Sequence, residues 1–393
     1  MHAFTYCNPT EVVFGKDTEQ KTADLIRKYG GSRILVVYGG GSVVRSGLLD
    51  RICGNLKSGH LDYTLFGGAK ANPTLEHAEE GVRAALDFQA DFILGIGGGS
   101  AIDTAKAIAI GTASPDTDLW KFWSREVTPA AALPIGAILT ISAAGSETSN
   151  SSVLTNTASG SKRGLSTDLN RPKFAIMNPE LTYTLPVYQV ACGIVDIMMH
   201  TLDRYFNPND NELTDSIAEA LLRTVIANGP SALANTHDYE AMSELMWAGS
   251  LSHNGLTGLG GKGDFSVHQL GHDLSAMFNT AHGASLSTVW ESWAKYVYQT
   301  KTARFARYAR NVWGLSDEDE QALALKGIQA TGDFFRSLPL PTSFSENPDI
   351  GIQEDRVLRD LAYRCTFERT RTIGSFRVLN EEDIYKIYQH ANQ

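Results

Sequence analysis

The chain has 393 residues, 42% of them hydrophobic and 20% charged, with a formal net charge of −10. An acidic balance without a basic stripe excludes nucleic acid as a partner, and no apolar run reaches the ~18 residues a membrane span needs. Four scattered cysteines, Cys7, Cys53, Cys192 and Cys365, form neither a disulfide framework nor a zinc knuckle, and the opening MHAFTYCNPTEVVFG lacks a basic-then-apolar leader, so a cytoplasmic protein of two or three domains is expected.

Strands and helices alternate over residues 1–185. RILVVY (33–38) is a β-branched run followed by GGGS and the helical stretch VVRSGLLDRICGNL. DYTLFG (62–67) reads as a second strand, and TLEHAEEGVRAALDFQ (74–89) as a helix with Thr74 as its N-cap. DFILGIGGGS (91–100) is a strand ending in glycines, with the helix AIDTAKAIAI after it. PIGAILT (134–140) and KFAIMN (173–178) are further strands. Such alternation predicts a mostly parallel sheet covered on both faces.

After NPELTYTLP (178–186) the period changes to about 3.6, in VYQVACGIVDIMMHTLDRYF, TDSIAEALLRTVIANG, EAMSELMWAGSLSHNGL and, at the end, EEDIYKIYQHAN. Two domains are therefore expected: an α/β domain over 1–185 and an all-helical domain over 186–393, packed together without a low-complexity linker.

YGGGS (38–42) and GIGGGS (95–100) each follow a strand and precede a helix. Glycine admits close backbone approach, and a helix N-terminus offers free N–H groups to a phosphate. Two such turns suit a dinucleotide, although neither has the G-x-G-x-x-G pattern and glycine in a tight turn also has a purely steric use. Asp103 and Lys106, a turn or two into the second helix, are placed to reach a ligand or each other; the plainer reading is a surface i,i+3 ion pair. The aromatics of DLWKFWSREV (118–127) are placed either to line an apolar pocket or to pack the loop against the helical half.

Three of the chain's ten histidines fall within HQLGHDLSAMFNTAHG (268–283). His268 and His272 are four residues apart, as are Asp196 and His200, so each pair shares a helix face. His282 follows near a helix end marked by NTAHG. Two facing helices with such pairs can enclose a cation. Five candidates, Asp196, His200, His268, His272 and His282, compete for about four positions, and spacing alone does not separate them. An O/N set without thiolate suits Fe(II), Zn, Co, Ni or Mn. Cys192, on the same face one turn before Asp196, reads as a small buried thiol, and Asp203 either supports the ligands or lies at the surface.

Together these motifs resemble the iron-containing (group III) alcohol dehydrogenases, in particular the NADPH-preferring butanol dehydrogenase and aldehyde reductase branch. The resemblance runs end to end through NPTEVVFG, GGGSAIDTAK, GSE at 145–147, NPELTYTLP, GIVDIMMHTLDRY and HQLGHDLSAMFNTAHG. It implies a Rossmann-like α/β dinucleotide-binding domain followed by an all-α metal domain, on the plan also used by dehydroquinate synthase, and a homodimer. It implies metal ligands at Asp196, His200, His268 and His282, and leaves His272 facing nicotinamide and substrate as the proton-handling residue. It implies cofactor contacts at Gly39, Gly40, Gly41, Ser42, Asn72, Gly97, Gly98, Gly99, Ser100, Asp103, Thr140, Ser142, Lys162 and Leu181. The metal expected is Fe(II), with Zn as the alternative.

Many NAD-using relatives carry an aspartate after the first long strand, where this chain has Gly39. A carboxylate there repels a 2′-phosphate; glycine does not, and Ser42 and Arg45 stand nearby, so NADP(H) is expected over NAD(H). One departure concerns TISAAGSE (140–147), where Ala143 and Ala144 replace a glycine and a threonine of the family pattern. The expected reaction is hydride transfer between NADP(H) and a short aliphatic alcohol or aldehyde such as butanol or butanal. The rivals are an NAD-dependent polyol dehydrogenase on the same scaffold and a non-catalytic nucleotide-binding relative.

Overall fold

The computed structural model describes residues 2–393. The chain divides into two compact units, one spanning Cys7–Leu185 and the other Pro186–Gln393 together with the segment up to Tyr6. The opening residues thus differ from the expected 1–185 grouping: the backbone N–H of His2 meets Oδ1 of Asn211 at 3.4 Å.

The first unit contains β1 (Glu11–Phe14), α1 (Thr22–Lys28), β2 (Arg33–Gly39), α2 (Ser42–Arg45), α3 (Leu48–Ser58), β3 (Asp62–Ala69), α4 (Leu75–Phe88), β4 (Phe92–Gly97), α5 (Gly99–Thr112), α6 (Trp120–Trp123), β5 (Ile135–Leu139), β6 (Ser151–Asn156), β7 (Ser161–Ser166) and β8 (Phe174–Met177). Six strands form a parallel sheet in the order β1-β8-β5-β4-β2-β3, and β6 and β7 make an antiparallel pair. Alternation along β2 builds both cores. Ile34 and Val36 pack with Leu48, Ile52 and Leu56 of α3, while Leu35 and Val37 pack with Ala85, Ala105 and Ile108 of α4 and α5. Thr74 caps α4, its Oγ1 accepting from the N–H of His77 at 3.4 Å. The single helix expected after β2 is interrupted by Gly47, whose φ of +70° only glycine takes readily. Of the aromatics of 118–127, Phe122 and Trp123 are buried among Leu75, Ala107, Leu119 and Leu154, and the Trp123 indole N–H donates to Ser152 O at 3.2 Å.

Strand order locates the crevice. From β2 the sheet grows to β3 on one side and to β4 on the other. Ligands of open α/β sheets bind at such a reversal, beyond the carboxyl ends of the strands. The loop Gly39–Gly41 follows β2 and the loop Gly97–Gly99 follows its neighbour β4.

The second unit contains α7 (Val187–Tyr205), α8 (Glu212–Ala234), α9 (Tyr239–His253), α10 (Ser266–Phe278), α11 (His282–Val297), α12 (Thr302–Trp313), α13 (Glu320–Ser337), α14 (Asp355–Cys365) and α15 (Glu381–Ala391). Its centre is aromatic, with Phe206 stacked on Phe305 and flanked by Trp290, Trp293 and Tyr308. Within it Arg304 is fully buried, paired with Asp215 and donating to the carbonyl of Tyr205. A buried charge of this kind persists because every donor direction finds an acceptor.

Candidate metal centre and cofactor loops

Helix α7 carries Asp196, His200 and Asp203 at i, i+4 and i+7, one face of a 3.6-residue helix, and all three are buried. α10 presents His268 in its first turn, and His282 opens α11. A glycine permits the junction: a Cβ on Gly283 would stand 2.2 Å from the carbonyl oxygen of Cys192. The start of α11 therefore lies directly on the α7 backbone, one turn before Asp196.

Oδ1 of Asp196 is 3.3 Å from Nδ1 of His200, 3.6 Å from Nε2 of His268 and 3.7 Å from Nε2 of His282. Ligands at about 2.1 Å from a tetrahedral cation stand about 3.4 Å from one another, so these separations match the edges of a coordination shell. Asp196, His268 and His282 each offer one donor atom, all within 4.8 Å of one another. His200 approaches Asp196 but lies outside this mutual set, its ring packed edge-on against His253 at 4.0 Å.

These approaches are not hydrogen bonds: Asp196 Oδ1, His200 Nδ1 and His268 Nε2 are buried with no hydrogen-bond partner. Each unsatisfied buried polar atom costs about 1–3 kcal/mol, and one divalent cation would satisfy all three. The residues present therefore fit a metal. Burial alone would pull the His268 imidazole down, but its contacts with Asp196 and Asp203 outweigh that and push it up to about 9. Burial, then the neighbouring His253 and His268, hold His200 well below the usual histidine range. Metal binding replaces protons at such ligands. Cys192 is pushed up to about 11 by burial, in keeping with a packing thiol.

His272 stands beside this set. Its ring is 5.4 Å from that of His282, with planes 30° apart, and 6.3 Å from that of His268. The His282 side chain is 29% exposed against 5% for Asp196 and His268, so the centre opens on the side that His272 occupies. His253 was not legible from spacing, because it ends α9 and shares no helix with a ligand. It packs against His200, and Arg204 reaches its Nδ1 at 3.4 Å.

In the first unit, Gly97 has a φ of +150°, and the following turn lies under residues 140–144. The amide of Thr140 donates to Gly97 O at 3.0 Å, and a Cβ on Gly98 would meet the Ile141 side chain at 2.2 Å. Ser142 is buried in the same segment, and Ser100 Oγ donates to Ala71 O at 2.6 Å. Lys162 on β7 donates to Oδ1 of Asn72 at 3.0 Å, bringing two expected cofactor residues together. Leu181 packs at the edge of the core beneath the sheet. At the first loop, a Cβ on Gly39 would meet nothing nearer than Ala69 O at 3.7 Å, one on Gly40 nothing within 4 Å, and one on Gly41 the Arg45 guanidinium at 2.0 Å. Arg45 therefore covers Gly41, beside Ser42 at the start of α2.

Asp103, also expected at the cofactor, is held by the 146–153 segment. Its Oδ1 accepts from Ser146 Oγ at 2.5 Å and its Oδ2 from the Val153 amide at 2.8 Å. Its pairing with Lys106 is not a surface one: Lys106 is fully buried, Nζ 3.9 Å from Asp103, donating to Ser146 Oγ at 2.9 Å and Ser151 O at 2.7 Å. Burial lowers Lys106 to about 8 and raises Asp103 above the usual carboxylate range. The pair ties α5 to the 146–153 segment.

Residues 9–179 match the family model of iron-containing alcohol dehydrogenases, and residues 190–392 that of the Fe-containing alcohol dehydrogenase family, C-terminal. The chain is 38% identical to NADH-dependent butanol dehydrogenase A of Clostridium acetobutylicum, over 100% of both chains. It is 34% identical to the NADPH-dependent aldehyde reductase YqhD of Escherichia coli, over 88% of this chain and 89% of that one. The crystal structure of NADH-dependent butanol dehydrogenase A from Thermotoga maritima superposes with a TM-score of 0.96 at 33% identity, covering 100% of this chain and 99% of that one. The chain belongs to the iron-containing alcohol dehydrogenase family, whose members are oxidoreductases that use a metal and a nicotinamide cofactor on CH–OH groups.

Proposed function

We propose that this protein is a metal-dependent alcohol dehydrogenase and aldehyde reductase that exchanges hydride between NADP(H) and short aliphatic alcohols or aldehydes such as butanol and butanal. The observation that carries the reading is the convergence of donor atoms from buried Asp196 and His268 and half-buried His282, with His200 alongside. Their O/N character suits Fe(II) among other divalent metals; the family name singles out Fe(II), with Zn as the substitute. When bound, the cation supplies Lewis acidity toward a carbonyl oxygen, and the nicotinamide supplies the hydride.

The chain's own residues do the rest. Asp196, His200, His268 and His282 would hold the cation, with one carboxylate charge among them. His272, on the open side, holds the proton that the product alkoxide requires and takes it back in the oxidative direction, a role suited to an imidazole near neutrality. Gly97, Gly98, Gly99 and Ser100 lie at the start of α5, whose first N–H groups have no intrahelical acceptor and suit the pyrophosphate. Gly39 and Arg45 support NADP(H): no carboxylate opposes a 2′-phosphate, and a guanidinium lies across the loop. The named relatives divide between NADH and NADPH, which makes NAD(H) the second reading. No helix among the described residues is long and apolar enough to cross a membrane, and the four cysteines are unpaired, as a reduced cytoplasmic setting would have them. A homodimer is proposed with the family.

The test is metal analysis of anaerobically purified protein together with butanal reduction by NADPH and NADH. A higher kcat/KM with NADPH and one metal per chain are expected; a higher kcat/KM with NADH would overturn the cofactor reading, and a metal-free active enzyme would overturn the site.

A further inference from the structure

We propose that Asp203 is the positioning residue of the metal centre: its carboxylate accepts the Nδ1 proton of His268 and so commits Nε2 to the cation. The inference rests on the metal reading above. An imidazole has two nitrogens, and its orientation and tautomer are set by whatever holds the one that does not ligate. Here Oδ2 of Asp203 stands 2.5 Å from Nδ1 of His268, while Nε2 of the same ring points into the donor cluster, 3.6 Å from Asp196 Oδ1. The side chains of Asp203 and His268 are 1% and 5% exposed, so water does not compete for the contact. The other carboxylate oxygen, Oδ1, is buried with no hydrogen-bond partner, which leaves His268 as the hydrogen-bonding contact of this carboxylate.

The backbone on both sides of the pair is anchored. Asp203 O accepts from the Asp264 amide at 2.6 Å. The Asp264 carboxylate in turn accepts from the Ser266 amide at 3.0 Å, at the first residue of α10, and from the Ser375 and Phe376 amides at 2.8 Å each. The end of α7 and the start of α10 are thereby held at a fixed spacing, and Asp203 bridges it to the ligand. Ligand, ligand and holder, Asp196, His200 and Asp203, share one helix face. An asparagine at 203 would nearly preserve shape, but its amide can also donate to Nδ1, which favours the tautomer with its proton on Nε2, where it blocks ligation.

The experiment compares the full-length protein with Asp203→Asn. Zn²⁺ affinity is measured by competition with a chromophoric chelator, and thermal unfolding of both metal-free proteins is measured in parallel. Zn²⁺ binding weaker by about 10- to 100-fold is expected, whether or not the metal-free Tm also falls from loss of the buried pair. A merely structural contact would lower the metal-free Tm and leave affinity alone, and that outcome overturns the proposal. A wild type that takes no Zn²⁺ overturns the metal reading itself; equal tight binding by both proteins overturns the role of Asp203 alone. Independently of the variant, ¹⁵N-histidine NMR of the Zn²⁺-loaded wild type reports the tautomer. A protonated Nδ1 and a metallated Nε2 at His268 support the assignment, and a metallated Nδ1 overturns it.

Discussion

His268 and His272 are identical side chains one helical turn apart, yet one has its Nε2 in a buried donor cluster and the other stands half-buried beside the opening. Replacing His268 with Ala removes a ligand, and metal content and turnover should both be lost; a loaded H268A protein would take His268 out of the shell. Replacing His272 with Ala should retain the metal while kcat falls by about 10²-fold or more, the usual contribution of a positioned acid–base group. Gly39 carries the third prediction at this scale. With 3.7 Å to the nearest atom of its surroundings, a side chain there meets no steric obstacle. Gly39→Asp should therefore report on charge rather than fold, shifting the NADPH-to-NADH ratio of kcat/KM toward NADH by about tenfold or more, since opposed like charges cost several kcal/mol. An unchanged ratio would mean that the adenosine phosphate binds elsewhere.

The start of α11 and the length of α5 depend on how each element meets its neighbour. Gly283→Ala puts a methyl group where the Cys192 carbonyl now is, so α11 must slide away from α7 and carry His282 with it. We expect a loss of about 1–3 kcal/mol in stability together with weaker metal binding, measurable by denaturant unfolding and chelator competition on the same variant. On α5, Lys106 sits fully buried with its ammonium group lowered to about 8 by desolvation. Between about pH 8 and its unfolded value near 10.4, the unfolded chain holds a proton that the folded chain has released. Stability from this group therefore rises with pH across that window, by about 3 kcal/mol in all. The wild-type unfolding free energy should gain that amount over Lys106→Met as pH is raised from 8 to 10.5, and parallel pH curves would contradict it.

For the molecule as a whole, the metal is expected to act as a ligand of the folded state only. Chelation should lower the unfolding free energy in proportion to the logarithm of free metal, by about 4 kcal/mol between saturation at a thousandfold Kd and none, and Tm should fall with it; a Tm indifferent to chelator would count against the site. Much of the plan is visible in the chain itself. Short continuous apolar runs at 33–38 and 92–97 announce buried strands, and the i,i+4 pair on α7 announces a face. The features that escaped are those with weak local patterns. β1 has four residues, too few to show a period, and β6 and β7 are polar and acquire order by pairing with each other and covering Trp123. The buried Asp103–Lys106 pair has the spacing of an ordinary surface ion pair, and no spacing shows that helix α5 is covered there. By itself the sequence determined the two-unit plan, the glycine turns and the set of five metal-site candidates, because hydrophobic period and residue spacing are local quantities. Only the tertiary structure decided that His268 meets Asp203 across 65 residues, that Gly283 lets α11 touch α7, and that donor atoms of Asp196, His268 and His282 come within 4.8 Å of one another. Those outcomes depend on the distance and rotation between helices, which no single helix encodes.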